Sequence, residues 1–166
     1  MIDTGLVARL RDRLLERGRP SLAPPGSVEL DGLPPYEAAA LERVEPLAEL
    51  LVLMMSADGR ADVRELEAIR GVVRTLTDGL VTGSTADLLV FRCRTRLEAE
   101  GLDERVHAVT TKLLADREDA EFGVMLAAAV ALADGRVSPD EHRLFGEVAA
   151  SLGIGARRLE ELLGHP

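Results

Sequence analysis

The sequence predicts an all-α bundle of about seven helices with an internal pseudo-two-fold repeat. Composition is the first reason. Of 166 residues, 46% are apolar, 2% are aromatic and none is Trp. The core must therefore be built from Leu, Val, Ala and Met, a palette that favours helix over strand. Periodicity is the second. From Tyr36 onward apolar residues recur at three- and four-residue steps, and no stretch alternates with a two-residue period over a strand length. The third is a duplication: residues 50–76 align without a gap on residues 126–152 at a constant offset of 76. Ser56-Ala57-Asp58-Gly59-Arg60 falls on Leu132-Ala133-Asp134-Gly135-Arg136, and Glu65 falls on Glu141. Each copy reads as an apolar helix, an Asp-Gly-Arg turn and a second helix, a unit that packs with its twin.

Residues 4–17 read as a short amphipathic helix with Leu6, Leu10 and Leu14 on one stripe. The next stretch, Gly18 to Pro35, holds five prolines and no periodic pattern, as expected of a linker or an arm wrapping the body. Residues 1–35 are thus set apart from a helical domain at residues 36–166. Within that domain Leu41, Val44, Ala48, Leu51 and Met55 mark the first helix, with Pro46 either kinking it or starting a new one. Leu66, Ile69, Val73 and Leu76 mark the second, which Gly79 and Gly83 break. Ser84 or Thr85 can cap a helix running to about Glu100. Gly101 ends that helix, and Asp103 is expected to cap the next, through Val106, Val109 and Leu113. Asp116 precedes a long apolar helix through Ala133. The second repeat helix spans roughly Pro139 to Leu152 and closes at Gly153, and Ala156–Leu163 form a final short helix.

Charge and cysteine content narrow the function classes. A net charge of −9 argues against a nucleic-acid surface, which needs clustered Lys and Arg, and favours cations or basic partners. Cys93 is the single cysteine, so no internal disulfide forms and a reducing compartment fits. The segment Met1–Pro20 has no uninterrupted apolar stretch of the signal-peptide kind. The longest apolar run, Val124 to Ala133, is about half a membrane span. The expectation is a cytoplasmic protein with no direct membrane insertion.

The repeated turn supports two readings. In Ser138-Pro139-Asp140-Glu141, Ser138 is a good N-cap, Pro139 suits the first helical position and Glu141 completes a capping box; Asp62 and Glu65 do the same in the first copy. Gly59 and Gly135 then end the preceding helices. Asp58 and Asp134 are left over. A carboxylate at a helix C-terminus faces the negative end of the macrodipole and loses roughly 0.3–1 kcal/mol, so both copies ask for a compensating partner: a backbone N–H in the turn, Arg60 or Arg136, or a bound cation. Asp-Gly-x5-Glu is also the back half of a calcium-binding EF-hand loop. The earlier ligand positions, however, hold Met54 and Ser56 in one copy and Val130 and Leu132 in the other. Neither loop is a complete EF-hand. Pooled across the two-fold, Asp58, Asp62, Glu65, Asp134, Asp140 and Glu141 form a set able to hold a hard divalent ion such as Ca²⁺, Mg²⁺ or Mn²⁺.

At these residues the chain resembles the TerB-like tellurite-resistance family, whose members include the N-terminal region of a membrane-anchored DnaJ-like co-chaperone. The matching signature is an apolar helix, Ala-Asp-Gly, a Ser or Asp cap and a Glu opening the next helix. It occurs at Ala57–Glu65 and Ala133–Glu141, and Leu152-Gly153-Ile154 resembles the family's exit from its last long helix. The resemblance covers roughly residues 40–163. It implies an all-helical fold with internal two-fold pseudosymmetry, an acidic metal-binding face at Asp58, Glu65, Asp134 and Glu141, and association with stress-response or membrane-linked protein assemblies. Tellurite is an anion, so an acidic body implies an indirect role in resistance to it.

The remaining candidates read as structural. His107 and His142 fit exposed helical positions, and His165 stands next to the C-terminus. Cys93 lies among Arg92, Arg94 and Arg96, which would lower its pKa, yet it shares the apolar register of Leu89 and Leu97 and so reads as a small buried side chain. Met54, Met55 and Met125 read as core filler. No nucleophile elbow, phosphate-cradling loop, zinc-spaced Cys/His set or dinucleotide fingerprint occurs. The expected role is therefore a non-catalytic binding or scaffold module with a protein partner. Two alternatives compete with it: a structural interaction domain whose carboxylates are helix caps only, and a metal-dependent hydrolase using the same carboxylates.

Overall fold

The computed structural model describes residues 5, 7–9, 11–12, 33–57, 63–133 and 138–158, without the side chains of residues 63–65 and 130–133. Six helices have defined bounds: α1 (Pro35–Met55), α2 (Val63–Leu76), α3 (Gly83–Glu100), α4 (Leu102–Leu113), α5 (Arg117–Ala133) and α6 (Pro139–Ser151). Residues 5, 7–9 and 11–12 and residues 156–158 are also helical, and no strand occurs among the described residues. The linker at residues 18–32 and the end of the final short helix, from residue 159 on, lie outside them.

The bundle is organised around α1, which packs against each of the other five helices. Its sequence explains why. From Leu47 to Met55 every residue is buried, so the helix is apolar all round rather than on one stripe, the pattern of a helix surrounded by others. Its 21 residues run unbroken through Pro46, so this proline does not start a new helix. The ring forgoes one backbone hydrogen bond. Around α1 the outer helices each contribute one stripe: Ile69, Val72, Val73 and Leu76 from α2, Leu89 and Cys93 from α3, Val109 and Leu113 from α4, and Leu144 and Val148 from α6. Phe122 is the one aromatic in this core. Val7, at 3% exposure, belongs to the same core, so the described part of the N-terminal helix docks on the body.

Gly123 sets how closely α5 approaches. A Cβ there would stand 3.0 Å from Leu113 Cδ1 and 3.3 Å from Leu50 Cδ2, tighter than ordinary van der Waals contact. Helix ends follow local chemistry, with two departures from expectation. Thr82, rather than Ser84 or Thr85, is the N-cap of α3, with its hydroxyl accepting from the Thr85 N–H. Gly83 therefore opens this helix instead of breaking one. Asp103 does not cap α4: it lies in the first turn, and Gly101, at φ 89°, serves as the junction between α3 and α4. A sharp reversal between two helices leaves room for a left-handed residue there and none for a side-chain cap. The expected cap Ser138 is in place, and Asp116, which precedes the long apolar helix, caps it. Asp116 Oδ1 accepts from the Glu118 N–H at 2.8 Å, and Ser138 anchors a capping box. Beyond α6, the Ile154 N–H donates to the Ala149 carbonyl at 2.9 Å, closing the helix around Gly153.

Candidate functional site

Of the six carboxylates expected at the repeated turns, two have described side chains. Asp58, Asp62 and Asp134 lie outside the described residues, and Glu65 is described only as backbone in the first turn of α2. The other two open α6. Asp140 is exposed. Glu141 Oε2 accepts from the Ser138 N–H at 2.7 Å, and the Glu141 N–H donates to Ser138 Oγ at 3.1 Å. With Oε2 so engaged, Oε1 is the oxygen left to meet a further donor or a cation. Among the described residues no group of three or more His, Cys, Asp or Glu side chains is arranged to hold a metal ion. His107 and His142 are exposed, as their helical positions imply, and His165 lies outside the described residues.

Two other polar clusters, neither singled out by sequence reasoning, fix the centre of the bundle. Both start from acidic residues on α1. Glu37, at its N-terminal end, reaches across to the start of α3. Its Oε1 accepts from Thr85 Oγ1 at 2.5 Å, from the Thr82 N–H at 3.2 Å and from Thr82 Oγ1 at 3.4 Å. The Thr85 hydroxyl foremost, then the Thr82 N–H, hold its carboxyl below the usual carboxylate range. One carboxylate thus ties two helix starts that are 45 and more residues apart in sequence.

The second cluster is deeper. Glu49, wholly buried, pairs with Arg105 of α4 at 2.5 Å and with Arg96 of α3 at 3.3 Å. One turn earlier, Glu45 meets Arg96 at 2.7 Å and Arg92 at 3.5 Å, and Arg105 also reaches Glu100 at 2.9 Å. Three carboxylates and three guanidiniums thus neutralise one another where α1, α3 and α4 meet. Cys93 sits beside them, fully buried. Burial, with Glu49 and Glu45 close by, pushes its thiol up to about 12, against the weaker opposite pull of Arg96 and Arg92. Arg92 and Arg96 therefore do not make Cys93 reactive, because they are spent on the α1 carboxylates, and Arg94 lies on the surface between α2 and α3. The sequence held a signal for this cluster, a lone Glu49 inside the apolar run from Leu47 to Met55, with Arg92 and Arg96 one turn apart on α3.

A third feature is on the surface. Between α2 and α3 runs a groove of about 370 Å³, lined by Leu66, Val90 and Phe91 and rimmed by Arg70, Asp87, Arg94 and Glu98. Phe91 is 68% exposed and Leu88, one turn before it, 42%.

These features define an all-helical bundle with a central apolar helix clamped by internal Glu–Arg pairs. The chain belongs to the TerB family: the family model described as tellurite resistance protein TerB matches residues 43–163. That span runs from within α1 past the end of α6 and takes in both Asp-Gly turns. It carries the TerB resemblance and says nothing of the DnaJ-like co-chaperone. No curated protein and no solved structure matches the chain significantly. Among the described residues no helix is long and apolar enough to cross a membrane.

Proposed function

We propose that this chain is a non-catalytic TerB-type binding module that holds a divalent cation through its two Asp-Gly-x5-Glu turns and serves a protein partner in a stress response, tellurite stress included. The observation that carries this reading is the duplication itself. In a chain of this family, Asp58 and Asp134 recur 76 residues apart, each following an apolar helical run in the sequence, where the helix dipole would disfavour a carboxylate. A local penalty accepted twice is consistent with a cationic partner. Glu141 Oε1, without a partner among the described residues, and the exposed Asp140 support the reading, because a hard ion collects oxygens and tolerates a carboxylate that also caps a helix. Tellurite, an anion, is not the ligand of so acidic a body; the cation links the module to resistance indirectly.

A second reading has an observation of its own. Glu141 already completes a capping box with Ser138, which accounts for its presence without any ion, and the carboxylates would then be helix caps in a purely structural interaction domain. Thermal unfolding of chelator-treated protein, with and without Ca²⁺, Mg²⁺ or Mn²⁺, separates the two. An ion at a hundred times its Kd adds about 2.7 kcal/mol, a rise of several degrees. The cation reading expects that rise with at least one ion and its loss in the Asp58→Asn/Asp134→Asn variant. Melting that ignores every ion supports the caps-only reading.

A further inference from the structure

The groove between α2 and α3 is open on the described surface, and its chemistry is self-complementary. Exposed positions on α3 run in one stripe: Ser84, Asp87, Leu88, Phe91, Thr95 and Glu98. Phe91 is at its centre, a large apolar side chain facing water at 68% exposure. Around it Arg70 and Asp87 pair with each other, whereas Arg94 and Glu98, on the groove rim, have no hydrogen bond or ion pair among the described residues. Two arginines and two acids make the patch neutral on a chain of net charge −9. A second copy would be repelled by the acidic body as a whole; this patch meets itself without that repulsion.

We propose that this face is a homodimer contact, in which α3 lies antiparallel to α3 of a second copy about a two-fold axis beside Phe91. The register follows from helix geometry. In an antiparallel pair centred on Phe91, Arg94 lies level with Leu88 of the second copy and one residue's rise, about 1.5 Å along the axis, from its Asp87. A two-fold axis crossing between the helices keeps both on the same side of the seam. Leu88 comes beside Thr95 of the second copy on the opposite side, and the two Phe91 rings meet at the centre. Because the contact is isologous, each favourable pair occurs twice. The unpaired Arg94 gains a carboxylate partner, and the exposed rings leave water. A seam of two helices is small compared with permanent interfaces, so the dimer is of micromolar rather than nanomolar strength.

Sedimentation velocity on the full chain, from roughly 1 μM to roughly 1 mM, tests the proposal. The expected result is a reversible monomer–dimer equilibrium, with Phe91→Ser weakening dimerisation at least about tenfold while leaving the circular-dichroism melt in place. Charge exchange tests the register. Arg94→Asp alone sets two acids against two acids, and Asp87→Arg alone sets two arginines against two arginines, so each variant should be monomeric. Mixed, they restore both opposite-charge pairs and should form a heterodimer. A wild-type chain that stays monomeric throughout, an Arg94→Asp variant that dimerises as well as wild type, or a mixture no more associated than its components would each overturn the proposal.

Discussion

Replacing Arg105 with Met should unlock the centre of the bundle. Glu49 is 0% exposed and the Arg105 side chain 9% exposed, at 2.5 Å from each other. Met fills most of the aliphatic volume of Arg, so packing is largely kept and the charge alone is removed. Breaking a buried pair from one side typically costs 3–5 kcal/mol, because the remaining charge stays buried. Arg96 still reaches Glu49 at 3.3 Å, which places the expected loss near the lower end, about 3 kcal/mol. For a domain this size that is a fall of about 6–12 °C in Tm. The comparison is Arg143→Met on α6, which removes an exposed pair with Glu147 and should lose under about 1 kcal/mol. Urea denaturation gives both values. The double variant Glu49→Leu/Arg105→Met leaves no uncompensated charge at that point and should recover most of the loss. An Arg105→Met loss no larger than that of Arg143→Met would refute the reasoning, as would a double variant no better than the sum of its parts.

Three further predictions follow from particular side chains. Glu37 titrates below its ordinary 4.5 in the folded chain, so the stability it contributes is complete above that value and drains away as pH falls through the lower folded one. Thr85→Val removes its shortest hydrogen bond, so the Tm gap between wild type and Thr85→Val should be widest at neutral pH and narrow below about pH 4.5; a gap constant down to acid pH would contradict this. Cys93, buried and with its thiol pushed up to about 12, should react with a thiol reagent at pH 8 only as fast as the protein opens, and prompt stoichiometric labelling of the native chain would count against its placement. Gly146 lies inside α6 with open space around a Cβ, so Gly146→Ala should stabilise by about 0.5–1 kcal/mol. Gly123→Ala, meeting Leu113 at 3.0 Å, should gain less or destabilise, and equal gains at both sites would show that α5 is not so closely packed.

Helices were legible in the sequence wherever one apolar stripe meets the core, as with Ile69, Val73 and Leu76 or Val106, Val109 and Leu113, because that periodicity is local. The capping box at Ser138 and Glu141 was legible for the same reason: its partners stand three residues apart. What sequence reading missed depends on distance. Glu37 finds Thr82 and Thr85 across more than 40 residues, and Glu49 finds Arg105 across 56; no local pattern reports such meetings. Cys93 was read correctly as buried from its register with Leu89 and Leu97, but the destinations of its neighbours were not: Arg92 and Arg96 go to α1 carboxylates and Arg94 lies on the groove. At α4 the expected Asp103 cap gave way to Gly101, since the tightness of the α3–α4 reversal is a tertiary property. Of the candidate cation site, Asp140 and Glu141 are placed at the start of α6, whereas Asp58, Asp62, Asp134 and the side chain of Glu65 lie outside the described residues.

Titration calorimetry of the chelated chain with Ca²⁺, Mg²⁺ and Mn²⁺ addresses the proposed function most directly. Pooled ligation by the two turns predicts saturable binding of about one ion per chain, abolished by either Asp58→Asn or Asp134→Asn, because Ca²⁺ needs more oxygens than one turn supplies. No saturable heat with any of the three ions would contradict the account, and so would full binding surviving in either single variant.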